Sequence, residues 1–179
     1  NGLAGEKYTV GEDVVPERLL WTFTESDDGI GYYIQSQDGG YLNGAYVPNN
    51  HDGYDGTLKL DDTSDVWTIL STTSDNKATI NILKSTNASQ SDAGDKYLTH
   101  GNGNESAANI FTLRSEENAT GSMFYEYTED GTYVDSDPTT PDDPTPAGGT
   151  IYKLTDLFVD GKDYLIVSSN KAGSANALN

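Results

Sequence analysis

Carboxylates dominate the reactive side chains of this sequence: 29 of 179 residues are Asp or Glu against 10 Lys or Arg, a formal charge of −19. Adjacent acids such as Asp61-Asp62 and Glu116-Glu117 have the residue type for general acid and base work. Such pairs are unavoidable at this acid content, so adjacency alone singles out no catalytic pair. Asp61, Asp62 and Asp65 could offer hard oxygen ligands to calcium, but the stretch lacks the order of acids and the glycine of an EF-hand loop and reads as a solvated acidic turn. His51 and His100 have no Cys or suitably spaced His for zinc and are expected in exposed loops. No nucleophile elbow, phosphate loop or dinucleotide fingerprint occurs. The chain is therefore not read as an enzyme, and neither metal nor cofactor is expected. The sequons at Asn87-Ala88-Ser89, Asn104-Glu105-Ser106 and Asn118-Ala119-Thr120 are read as compositional. Asn179 and Asn1-Gly2 raise asparagine-mediated cleavage or joining, for which the sequence supplies no catalytic partner.

The charge also excludes partners. Phosphates would be repelled, so nucleic acid is not expected. No apolar run approaches the ~20 residues of a membrane span, and no signal-peptide pattern opens the chain, which reads as mature or excised. Cysteine is absent, so neither disulfides nor thiolates contribute. Abundant Gly, Asn, Asp, Ser, Thr and Tyr suit short strands joined by many turns. The predicted class is an all-β extracellular protein.

Composition divides the chain in three. Residues 1–134 carry strand-like segments separated by turn signals such as Asp27-Asp28-Gly29, Asp38-Gly39-Gly40 and Gly101-Asn102-Gly103. Val14 to Leu20, with Pro16 near its start, allows one short helical turn. Residues 135–150 hold four of the six prolines and four aspartates. They read as an extended linker able to span on the order of 45 Å. Residues 151–179 return to strand character with Ile151, Leu154, Leu157, Phe158, Tyr164, Leu165, Ile166 and Val167. A segment this short cannot fold alone and needs a body to dock on.

A threefold internal similarity connects these parts. The clearest copy runs from Asp28-Gly29 through Tyr32, Tyr33, Ile34 and Ser36, Tyr41-Leu42-Asn43, Leu58 and Leu60, to Val66-Trp67-Thr68-Ile69. A looser copy runs from Ile80, Ile82, Leu83 and Ser85 through Tyr97-Leu98-Thr99 to Ile110-Phe111-Thr112-Leu113. The third is split. Asp160-Gly161, Tyr164, Leu165, Ile166, Ser168 and Ala177-Leu178-Asn179 open it, and Leu20-Trp21-Thr22-Phe23, at the other end of the chain, closes it. Trp21, Trp67 and Phe111 are read as the aromatic floor of the core.

Three copies of strand, turn and closing aromatic strand resemble the β-trefoil, and the Leu-Trp-Thr, Val-Trp-Thr and Ile-Phe-Thr endings resemble the ricin-type closing strand. The ricin-type pattern has Gln two places before the Trp, where this sequence has Leu19 and Asp65. The Lys-Asp-Tyr-Leu-Ile-Val-Ser segment at 162–168 is similar to the segment that opens modules of large repetitive surface proteins of Gram-positive bacteria. These resemblances imply a β-trefoil-like body at 1–134, incomplete without a segment at 151–179 that supplies the first half of a repeat. The expected function is structural: 151–179 is donated to the next copy, Leu157, Phe158, Tyr164, Leu165, Ile166, Val167 and Leu178 fill its open sites, and units assemble head to tail on the cell surface. Docking onto the segment's own body is the alternative. It pairs with a glycan-binding role, because trefoil sugar sites combine an aromatic platform with Asp or Asn, and Tyr46, His51, Tyr54 and Asp55 supply those types in the middle loop.

Overall fold

The strand-like segments become antiparallel strands in the computed structural model, which describes residues 2–7, 15–48, 54–74, 79–90, 96–100, 110–127, 133–134, 158–168 and 176–179. Among these residues thirteen strands share one sheet. They are β1 (Leu3–Lys7), β2 (Leu20–Glu25), β3 (Tyr32–Ser36), β4 (Tyr41–Pro48), β5 (Tyr54–Asp61), β6 (Trp67–Ser74), β7 (Thr79–Ser85), β8 (Tyr97–His100), β9 (Ile110–Arg114), β10 (Ser122–Tyr127), β11 (Tyr133–Val134), β12 (Lys162–Ser168) and β13 (Asn176–Leu178). The predicted linker at 135–150, the following residues through Leu157, and the sequon at Asn104 lie outside the described residues.

The ladders close on themselves. β2 pairs with β3, β3 with β6, β6 with β7, β7 with β10, β10 with β12, and β12 with β2. A closed ring leaves none of these six strands as a free edge. Hairpins leave it between consecutive ring strands: β4–β5 joins β3 to β6, and β8–β9 joins β7 to β10. The corresponding pair between β12 and β2 is β13–β1, whose strands come from opposite ends of the chain. Aspartate-glycine turns precede β3 and β12, where Gly29 (φ 69°) and Gly161 (φ 72°) adopt the left-handed backbone that glycine accepts without strain.

Register sets the core. Phe23 lies opposite Ile34, Ile69 opposite Leu83, and Phe124 opposite Ile166, so the three alternate ring ladders β2–β3, β6–β7 and β10–β12 each give one bulky pair to the same cluster. Trp21 opposite Ser36 and Trp67 opposite Ser85 occupy matching positions, and in the remaining pair the match is Ser122 opposite Ser168. Phe111, aligned with the two tryptophans by sequence, is buried but sits in hairpin strand β9, opposite His100 and Leu3. A second cluster of Val15, Leu19, Leu20, Tyr125, Leu165, Val167 and Ala177 covers the other face of β12. Its wall includes the short 3-10 turn Glu17–Leu19 that follows Pro16. A strand covered on both faces needs an unbroken apolar run, and Tyr164, Leu165, Ile166 and Val167 are each wholly buried.

Candidate functional site

The best-defined polar and aromatic constellation is the seat of β12 between β10 and β2. Phe158, just before the strand, packs with its ring centroid 4.3 Å from Phe23, 4.9 Å from Phe124 and 5.0 Å from Tyr164. Tilted and edge-on aromatic contacts at these spacings add to what area burial alone provides. Hydrogen bonds hold the ends. The Tyr32 hydroxyl donates to the Phe158 carbonyl (3.0 Å), the Val159 N–H donates to the Tyr164 hydroxyl (2.9 Å), and the Gly161 N–H donates to the Phe23 carbonyl (2.8 Å). Asp160 accepts from the Glu25 N–H (2.8 Å) and Asp163 from the Thr22 hydroxyl (2.6 Å). At the far end the Trp21 indole N–H donates to the Leu178 carbonyl (3.1 Å), as the Trp67 indole does to Leu42 (2.8 Å). Of the residues predicted for this segment, Phe158, Tyr164, Leu165, Ile166, Val167 and Leu178 are buried. Leu157 lies outside the described residues.

One member of the site has no counterpart in the sequence reading. Glu126 of β10 is only 4% exposed, lies opposite Tyr164 across the β10–β12 ladder, and has one carboxylate oxygen, Oε2, with no hydrogen-bond partner. Burial pushes its pKa up to about 7, against the opposing pull of Lys162 and of a hydrogen bond from Tyr164. Burial likewise raises the Tyr164 hydroxyl far above the ordinary tyrosine range. The available signal was parity, since Ser122, Phe124 and Glu126 share a face of the strand.

The predicted glycan-binding residues fall on or beside hairpin β4–β5. Tyr46 is partly exposed and lies opposite Gly56, while the ladder sets Val47 opposite Asp55 and Pro48 opposite Tyr54. His51 lies outside the described residues. A separate cleft of about 480 Å³ opens beside Glu25, Ile30, Leu70 and Thr72, and Phe158 forms part of its wall.

The acids at 61–65 do not converge. Asp61 bonds the Thr63 N–H (3.1 Å) and pairs with Lys59, which holds its carboxyl well below the usual range. Asp65 is buried and turned the other way. It accepts from the Gly44 N–H (2.8 Å), the Ser85 hydroxyl and the Asn87 N–H (3.0 Å), fastening β4 to the turn after β7. Burial nonetheless raises its pKa. Replacing Asp65 by Ala orphans these donors and should cost about 3 kcal/mol in chemical denaturation. A loss within about 0.5 kcal/mol, the range of ordinary surface changes, would contradict that role. His100, expected in an exposed loop, is instead buried, with its ring 4.8 Å from Phe111. The cause is its place at the end of β8, opposite Phe111 in the ladder. Among the described residues no group of three or more His, Cys, Asp or Glu is set to hold a metal ion. No described helix is long and apolar enough to cross a membrane.

Ladders and site together define an all-β protein of antiparallel strands in which both chain ends help to build one sheet. No family model, curated protein or solved structure matches the chain.

Proposed function

We propose that the chain is a structural subunit of an extracellular fibre or stalk, with a β-trefoil-like body that takes residues 151–179 of a neighbouring copy. The observation that carries this reading is the composition of the β12 seat. β12 and β13 complete the ring and the third hairpin, yet in sequence they lie beyond the proline- and aspartate-rich stretch at 135–150. Without them β10 and β2 would each present an open ladder edge beside an uncovered aromatic core, the template for strand addition. In the single chain the seat is filled by the chain's own strand. The same contacts made between copies would give a head-to-tail contact, which extends into a filament when it does not close into a ring. The trefoil reading draws support from the closed ring of ladders and from the hairpin set between consecutive ring strands.

The absence of cysteine allows a direct test. Met123 and Val167 are ladder partners, and cross-strand neighbours lie within disulfide reach. Chains carrying Met123→Cys are mixed with chains carrying Val167→Cys, unfolded, refolded together and oxidised. The expected product is a mixed disulfide dimer, and the double variant should give a ladder of multimers on a non-reducing gel. A double variant that forms only an internal disulfide, with no mixed dimer, overturns the head-to-tail reading.

A carbohydrate-binding role is the second reading. Its support is the β4–β5 ladder, which brings Tyr46, Asp55 and Tyr54 to one end of a hairpin. A lectin should bind glycans as an isolated unit, and Tyr46→Ala should abolish that binding on a glycan array.

A further inference from the structure

We propose that seating of β12 is proton-linked: the Glu126–Tyr164 contact is sealed inside the ring, and burial of the Glu126 carboxyl there is tolerated when it is protonated and opposes the seated strand when it ionises. The consequence for assembly rests on the strand-addition reading above, whereas the contact itself acts on β12 from either source.

The geometry comes first. Glu126 shares the inward face of β10 with Phe124, so its carboxyl enters the ring and not solvent. Its Oε2 has no hydrogen-bond partner. A buried oxygen left unpaired is costly when it carries charge and much less so when neutral. Opposite it stands Tyr164, whose hydroxyl accepts from the Val159 N–H and so ties the turn before β12 to the strand.

The surrounding groups do not neutralise Glu126. From β12 the facing groups are exposed Lys162 and Tyr164, with Tyr32 of β3 behind Tyr164. From β7 the ladder offers Thr79, Ile80 and Asn81, and from β11 Val134 stands opposite. β8 meets the other end of β10, where Thr99 bonds Thr120, and its His100 packs on Phe111. Lys162 is thus the one cation acting on Glu126 among the described residues, and it is in solvent.

The direction follows from linkage. The folded pKa, about 7, lies above the ordinary value of 4.5, so the seated state takes up a proton. Stabilisation is complete below about 4.5 and is lost as pH rises through about 7. A single linked proton changes the seating equilibrium by at most about tenfold per pH unit within that window.

The test is hydrogen exchange of the full chain and of Glu126→Gln from about pH 5 to about pH 8, corrected for intrinsic rates, read at the amides of residues 164–167. Wild-type protection should fall with rising pH at up to about tenfold per unit, and Glu126→Gln should be flat near the acid-limit value. A flat wild-type profile, or an equal slope in the variant, overturns the proposal. A carbon-13 titration of the Glu126 carboxyl needs no variant. A midpoint near 7 is expected, and one below about 5 overturns the proposal even if Glu126→Gln misfolds. Sedimentation across the same pH series separates the two readings. pH-dependent protection in a chain that stays monomeric would sink strand addition between copies and leave the switch acting on a self-docked strand.

Discussion

Replacing Ile166 by Asp is expected to release β12 from its seat and abolish the cooperative unfolding transition. Ile166 is wholly buried opposite Phe124, in the layer that also holds the Phe23–Ile34 and Ile69–Leu83 pairs. The substitution removes an apolar side chain worth about 2–5 kcal/mol in such a setting. It also asks the seat to hold a carboxylate with no facing cation, at a further cost of several kcal/mol. The sum rivals the ~5–15 kcal/mol that stabilises a whole domain. Ile166→Val, which keeps shape and polarity, should cost only about 1 kcal/mol. Urea denaturation followed by tryptophan fluorescence measures both, since Trp21 bonds Leu178 and Thr22 bonds Asp163 across the seat. A transition for Ile166→Asp close to that of Ile166→Val would contradict this placement of β12. If copies exchange this strand, the same substitution also removes the assembled species from a sizing column.

Part of this architecture was legible because apolar spacing records which residues must meet. Setting Leu178 and Trp21 beside Leu42 and Trp67 treats the two chain ends as one unit, and the two indole-to-carbonyl hydrogen bonds join those same pairs. The all-β class followed from a composition rich in turn formers and suited to short strands. What alternation lacks is the identity of the ladder a strand joins. Ile110-Phe111-Thr112-Leu113 alternates much as the Trp67 strand does, yet it forms hairpin strand β9, and the ring position goes to β10 with Ser122 where the tryptophans stand. In residues 122–127 serine and glutamate flank Phe124 on the inward face, so that face lacks the unbroken apolar pattern of a core strand. His100 failed for a related reason: beside Gly101-Asn102-Gly103 a histidine reads as loop, and only its pairing with Phe111 shows that it is covered. The misread positions are largely those where a polar side chain is buried, which composition argues against and register decides.

Trp67→Ala should cost about 3–5 kcal/mol, because the indole works at a junction and not only as filling. Its backbone pairs with Tyr32, the contact that joins β3 to β6 and closes the ring. Its side chain is wholly buried, and its N–H donates to the Leu42 carbonyl, fastening hairpin β4–β5 to the barrel wall. Truncation therefore opens a cavity and removes a buried hydrogen bond at once. Trp67→Phe separates the two, since it retains most of the volume and removes the N–H, and should cost the roughly 1 kcal/mol of one hydrogen bond plus a smaller packing loss. Trp21→Phe makes the parallel change at the junction built from both chain ends, where the acceptor is Leu178. Equilibrium denaturation of the four variants, both tryptophans to Phe and to Ala, should give matched losses at the two sites. If Trp67→Ala were near neutral, the indole could not be in the core. If only the Trp21 pair were near neutral, β13 would not be seated against Trp21 in solution, and the third hairpin would not be anchored to the ring as the other tryptophan anchors β4–β5.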